Sequence, residues 1–149
     1  MINRNRFGPA MILLFGVASL SGGASVQGAD DKADHHAHFA KCAKACADCQ
    51  LQCDMCFAHC RALLAQGKKE HEITTQLCVD CGDCCKLAAT LSARMSPLAG
   101  DACDCCAKCC DKCAAACEKF PDDKHMAECA KSCRDCAKAC REMIQHLKR

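Results

Sequence analysis

Cysteines recur at alternating steps of three and four residues along four separate stretches of this chain, and few structures can accommodate that spacing. The first run is Cys42, Cys46, Cys49, Cys53, Cys56 and Cys60, with steps of 4, 3, 4, 3 and 4. Residues so spaced share one face of an α-helix, whereas a strand would send successive members to opposite sides. Phe39 and Leu63 continue the stripe at either end, Asp34 suits an N-cap and Gly67 a stop, so a helix is expected over residues 34–66. Cys78, Cys81 and Cys85 keep the stepping within residues 69–94, with Cys84 beside them and Met95 near the end. Ser96-Pro97-Leu98-Ala99-Gly100 then breaks the chain. A third helix is expected from the N-cap candidate Asp101 to Lys119, carrying Cys103, Cys106, Cys110, Cys113 and Cys117, with Cys105 and Cys109 widening its stripe. After the break at Phe120-Pro121, Asp122 can cap a fourth helix to Leu147, in which Met126, Cys129, Cys133, Cys136, Cys140 and Met143 step by 3, 4, 3, 4 and 3.

The faces between these stripes carry Lys, Asp, Glu, Arg and Ala, which suit solvated helix surfaces. Short breaks between four one-sided helices predict an all-α fold, an antiparallel up-down-up-down bundle with a cysteine-lined core, spanning residues 30–149. The unusual element is chemical: core positions that ordinarily hold Leu and Ile hold Cys.

Residues 1–29 read as an export signal. Arg4 and Arg6 form a positive start, Ala10–Leu20 an apolar stretch too short to span a bilayer comfortably, and Ser21–Ala29 a small-residue exit. The expected location is outside the cytoplasm, in the periplasm. Arg4-Asn5-Arg6-Phe7 is an imperfect twin-arginine signal, so the route of export stays open. Loss of Arg4 and Arg6 lowers Lys+Arg from 20 to 18, against 18 Asp+Glu, so the remaining chain is about neutral with His uncharged. Nucleic-acid binding, which needs a basic stripe, is not expected. The remainder also has no stretch that would span a membrane.

All 21 cysteines follow the signal. In an exported chain they would ordinarily suggest a disulfide framework. Their number is odd, however, and their spacing is helical. A disulfide needs Cβ atoms about 3.8 Å apart. Residues i and i+4 on a helix hold theirs roughly 5–6 Å apart. That larger gap suits one metal ion between two thiolates at about 2.3 Å each, taking zinc–sulfur bonds as a guide. Such pairs are Cys42/Cys46, Cys49/Cys53, Cys56/Cys60, Cys81/Cys85, Cys106/Cys110, Cys113/Cys117, Cys129/Cys133 and Cys136/Cys140.

Charge selects the metal. A core of thiolates is a column of buried negative charge, which must be paired. Cu(I) brings one positive charge and accepts two thiolates, so if each sulfur bridges two ions, about one ion per cysteine leaves the interior neutral. Zinc takes four ligands and would leave each isolated Cys₄ site with excess negative charge. Cys103, Cys106, Cys109 and Cys113 match an iron–sulfur spacing, but Ala114 stands where proline is expected and the run lies within a long helix. Softness alone does not separate Cu(I) from Ag(I).

Four cysteine-striped helices behind an export signal resemble the bacterial copper storage proteins, over nearly the whole chain after the signal. The resemblance rests on the repeated C-x-x-x-C and C-x-x-C alternation in all four segments. It implies a four-helix bundle that stores many Cu(I) ions on paired thiolates. Exported relatives form homo-oligomers and supply copper to copper enzymes, so a recipient enzyme is an implied partner. The alternative readings are a copper chaperone or detoxification protein holding few ions, and a zinc-binding metallothionein-like protein.

In an up-down bundle one end gathers His35, His36, His38, Met95, Met143 and His146, the candidate ligands for copper entry. The other end gathers His71, His125 and Met126, and His59 is expected beside the seam. Thiol oxidoreductases place one reactive C-x-x-C near a βαβ unit, and no such pattern or catalytic Ser, Asp or Glu arrangement is visible. The chain is not expected to be an enzyme.

Overall fold

The computed structural model describes residues 27–148. The body of the expected export signal lies outside the described residues. Four α-helices follow in order: α1 (Gln27–Ala65), α2 (Glu72–Ala93), α3 (Ala99–Cys117) and α4 (Lys124–Leu147). A 3₁₀ turn, Lys69–His71, precedes α2. Each helix packs against its neighbour in sequence, and α4 closes the ring against α1. Among the described residues the diagonal pairs, α1 with α3 and α2 with α4, keep their backbones apart and meet only through side chains across a central lumen bounded by four walls. This is the expected antiparallel up-down-up-down bundle.

Helix ends depart from expectation at several points, each with a local cause. Asp34 is not an N-cap, because α1 is already helical from Gln27. The stretch before Asp34 contains no proline and interposes nothing that stops a helix. The residue that caps α4 is Asp123 rather than Asp122: its carboxylate accepts from the Met126 amide at 3.2 Å. Asp101 lies inside the first turn of α3, whose N-cap is Leu98. The helix restarts early because Ser96 folds the chain back, its carbonyl accepting from Ala99 N at 3.0 Å and its hydroxyl from Leu98 N at 3.2 Å.

Two helices end in the same way. After α1, Lys68 N reaches Leu63 O at 3.2 Å and Gly67 N reaches Leu64 O at 2.9 Å, with Gly67 at φ +84°. After α2, Ser96 N reaches Leu91 O and Met95 N reaches Ser92 O, both at 2.9 Å, with Met95 at φ +49°. Both are Schellman closures, which favour glycine at the left-handed position. Met95 occupies that position with a side chain.

The core is thin. Buried Ala88, Ala107, Ala114, Ala130 and Ala137 let the helices approach, and the larger apolar side chains stand near the lumen ends: Phe39 and Met143 at one, Leu63 and Met126 at the other. Between them the interior is sulfur. From Cys42 to Cys60 on α1 the lined lumen runs about 27 Å at the α-helical rise.

Candidate metal centre

Every cysteine of the main stripes is fully or almost fully buried. The stepping of three and four keeps each row on the lumen face, and the ring of four helices aims the rows at one another. All 21 cysteines are free thiols.

The sulfurs form one continuous column. Near the histidine-bearing end, Cys42 and Cys103 lie 3.5 Å apart. Below them Cys46 meets Cys136 and Cys140, each at 3.6 Å. Cys106 meets Cys85 at 3.6 Å and Cys136 at 3.8 Å. Cys81 meets Cys110 at 3.6 Å, and Cys133 meets Cys49 at 3.7 Å and Cys53 at 3.8 Å. Toward the far end Cys78 lies 3.9 Å from Cys113, and Cys56 lies 3.9 Å from Cys60. Pairs within one helix are thus joined by contacts between helices, which linear spacing alone does not reveal.

Sets of four buried thiols have all their sulfurs within 4.8 Å of one another, among them Cys46/Cys106/Cys136/Cys140, Cys49/Cys85/Cys110/Cys136, Cys49/Cys53/Cys81/Cys133, Cys53/Cys113/Cys129/Cys133 and Cys56/Cys78/Cys117/Cys129. Each set shares a thiol with the next: Cys136, then Cys49, then Cys53 and Cys133, then Cys129. A shared sulfur is what a bridging thiolate requires.

Packing thiols this closely splits their acidities. Cys49 and Cys106, each hydrogen-bonded first to Cys110, and Cys129, to Cys113, are held far below the usual thiol range. Cys133 beside Cys110, Cys85 beside Cys106 and Cys78 beside Cys113 are pushed far above it. A thiolate is stabilised by the protons its neighbours keep, and burial raises every member. Burial favours the protonated thiol throughout the column, and replacing a retained proton by a singly charged cation leaves its charge unchanged.

Cys84, Cys105 and Cys109 do not join the column. They sit outside it at the α2–α3 seam, Cys105 exposed and the other two half-buried. Cys84 Sγ lies 3.2 Å from Cys109 Sγ and 3.8 Å from Cys105 Sγ. Rather than widening the stripe, they form a second group.

At the end expected for entry, His35 Nδ1 lies 2.8 Å from His146 Nε2, and His38 stacks on His146 with ring centroids 4.1 Å apart. His35 also packs edge-on against Phe39. His36 and Met95 stand apart from that trio, lining a recess with Phe39 and Ser92. Met143 is buried in the core. At the opposite end His59 pairs with Asp123 at 2.6 Å and stacks on His125.

Sequence reasoning missed part of the α2 stripe. His71, Thr74, Ala88 and Ser92 are buried and continue the row of Cys78, Cys81 and Cys85 at steps of three and four. Ser92 Oγ lies 3.8 Å from Cys42 Sγ and 3.7 Å from Cys103 Sγ, in the first sulfur layer. His71 packs on Phe120 at the other end, its Nδ1 buried with no hydrogen-bond partner. The signal was present: the same stepping, followed past the cysteines in both directions, reaches all four.

Fold and column together define a class, the helical bundle whose interior is a thiol-lined store for soft metal ions. Residues 34–145 match the copper storage protein family, and the chain belongs to it. Among solved structures it is similar to the Cu(I)-bound copper storage protein BsCsp3, at 35% identity over 69% of this chain and 94% of that one, with a TM-score of 0.64. It is likewise similar to copper-free Csp3 of Bacillus subtilis, at 35% identity over 69% and 95% of the two chains, TM-score 0.60. A protein from Nitrosospira multiformis matches at 29% identity over 72% and 95%, TM-score 0.62. No curated protein matches the chain.

Proposed function

We propose that this protein is a high-capacity Cu(I) store whose cargo fills the lumen on paired and bridging thiolates, and that it is not an enzyme. The observation that carries this is the chain of buried thiol quartets joined through shared sulfurs. A chaperone for one or two ions has no use for such a column, and zinc, with four tetrahedral ligands, uses more sulfurs per ion than the two- or three-coordinate Cu(I) that closely shared sulfurs suit. Cu(I) bound by two or three soft sulfurs suits thiols 3.5–4.0 Å apart on facing helices. Family membership and likeness to a Cu(I)-bound relative support the choice of metal.

Copper enters at the end carrying His35, His38 and His146. Their rings converge above Phe39, which precedes Cys42 in the stripe, and imidazole can pass a soft cation to thiolate. Export to the periplasm is supported by Arg4, Arg6 and the apolar Ala10–Leu20, and it places the store beside a recipient copper enzyme. No helix of the described residues is long and apolar enough to cross a membrane.

Anaerobic titration of the reduced protein with Cu(I), against a chromophoric Cu(I) chelator, tests the store. Tight uptake approaching one ion per cysteine is expected. Saturation at one or two ions would refute storage in favour of a chaperone.

A further inference from the structure

Three cysteines have no place in the lumen, yet they are not scattered. Cys105 and Cys109 stand one turn apart on α3, and Cys84 faces both from α2. Each has a lumen cysteine as its immediate chain neighbour: Cys84 precedes Cys85, Cys105 precedes Cys106 and Cys109 precedes Cys110. Those neighbours lie in contact across the same seam, Cys85 with Cys106 at 3.6 Å and with Cys110 at 3.7 Å. The outer trio therefore stands beside the column, between the two bundle ends.

We propose that Cys84, Cys105 and Cys109 form a separate, solvent-facing Cu(I) site from which copper is exchanged sideways, between the bundle ends, with an external thiol. This rests on the storage reading and adds a second kind of site to it. Three sulfurs around one ion at about 2.3 Å would stand about 4.0 Å apart, taking zinc–sulfur bonds as a guide. Cys84 Sγ lies 3.2 and 3.8 Å from the other two sulfurs, close to that spacing. Charge is also handled differently here. Three thiolates on one Cu(I) carry excess negative charge, which the buried column must share among bridging ions but water at the surface screens.

Exposure of Cys105 gives the site its chemistry. An incoming thiol, on a small molecule or an acceptor protein, loses its proton and binds the ion as a thiolate. One cysteine thiolate leaves the ion and takes up a proton. Copper remains Cu(I) throughout, so neither an oxidant nor a reductant is needed. The column itself admits no such approach from the side, because its sulfurs are buried behind the helices.

The test compares the wild-type chain with C84S/C105S/C109S, both reduced and loaded anaerobically with Cu(I). Stoichiometry is read by titration, and release by stopped-flow mixing with a hydrophilic Cu(I) chelator in the presence of glutathione. We expect the triple variant to hold one ion fewer and to lack the fastest release phase, whose amplitude in wild type is one ion. A lumen variant, C46S/C140S, is expected to hold fewer ions while keeping that phase. An unchanged count and an unchanged fast phase in the triple variant would overturn the exchange site with storage intact. Uptake of only one or two ions by wild type would instead overturn storage. As a check independent of variants, brief iodoacetamide treatment of the folded copper-free protein is expected to label Cys105 first, and full copper loading to protect it. Equal labelling of Cys105 with and without copper would count against the site.

Discussion

A cysteine at a core position does two jobs that a leucine cannot. It fills space as a small apolar group, and it exchanges a proton for a soft cation. In this lumen the two are coupled, because thiol neighbours and burial push thiols such as Cys85 and Cys133 above the usual range, where they hold their protons. Loading must displace the held protons, so copper uptake is expected to release protons at neutral pH, read with a pH indicator in weakly buffered solution. The sign for affinity follows: a raised thiol pKa means protons compete, so copper is held less tightly as the pH falls. Cys133 belongs to two quartets, so Cys133→Ser is expected to lower copper capacity by more than one ion, measured by the same anaerobic titration. Met95 offers a backbone test. It occupies a left-handed position at φ +49°, which costs a non-glycine residue about 1 kcal/mol. Met95→Gly is expected to stabilise the copper-free protein by up to about that amount in urea unfolding. If its thioether assists entry, the same variant will load more slowly.

Helices in this bundle are held by their ends and seams, since few large side chains fill the middle. Asp123 matters out of proportion to its size: it caps α4 and ties it to His59 on α1. Burial alone would raise its carboxyl, but hydrogen bonds from His59 and the Met126 amide outweigh that and hold it below the usual carboxylate range. Its contribution is thus present above the unfolded-state value near pH 4 and is lost as pH falls through the lowered folded value. Asp123→Ala is expected to cost about 1 kcal/mol in urea unfolding at neutral pH. On the outer face, Arg134 joins α4 to α3 by gripping Glu118 at 2.8 and 2.9 Å and Asp111 at 3.1 Å, while Arg141 reaches the same Asp111. These exposed pairs fix register more than they add stability.

For the whole molecule, cargo and fold are linked. An ion that binds only the folded state stabilises it by mass action, by about 4 kcal/mol for each site when free ion exceeds its dissociation constant a thousandfold. Copper loading is therefore expected to raise the unfolding temperature steeply, and a strong Cu(I) chelator to reverse the gain. The lumen walls already stand at the spacing the ions need, so helix content by far-ultraviolet circular dichroism should change little on loading. A large gain in helicity would mean that the copper-free bundle is not assembled.

Much of this was legible in one dimension. Steps of three and four put Cys42 to Cys60, Cys103 to Cys117 and Cys129 to Cys140 on single helix faces, and breaks at Gly67, Ser96-Pro97 and Pro121 separate the helices. Periodicity is a property of the local backbone, so helix, stripe and inward face could be read directly, and soft sulfur chemistry came with them. The caps were placed less well, because whether Asp101, Asp122 or a neighbour ends a helix depends on how the chain turns between helices. Nor could spacing separate Cys84, Cys105 and Cys109 from the column, since the width of a lumen face is set by where the adjacent helices stand. Which thiols meet across helices, which are shared between quartets, and which are left at the surface depend on distances between residues far apart in the chain. Only the packing of four helices around one axis decides them.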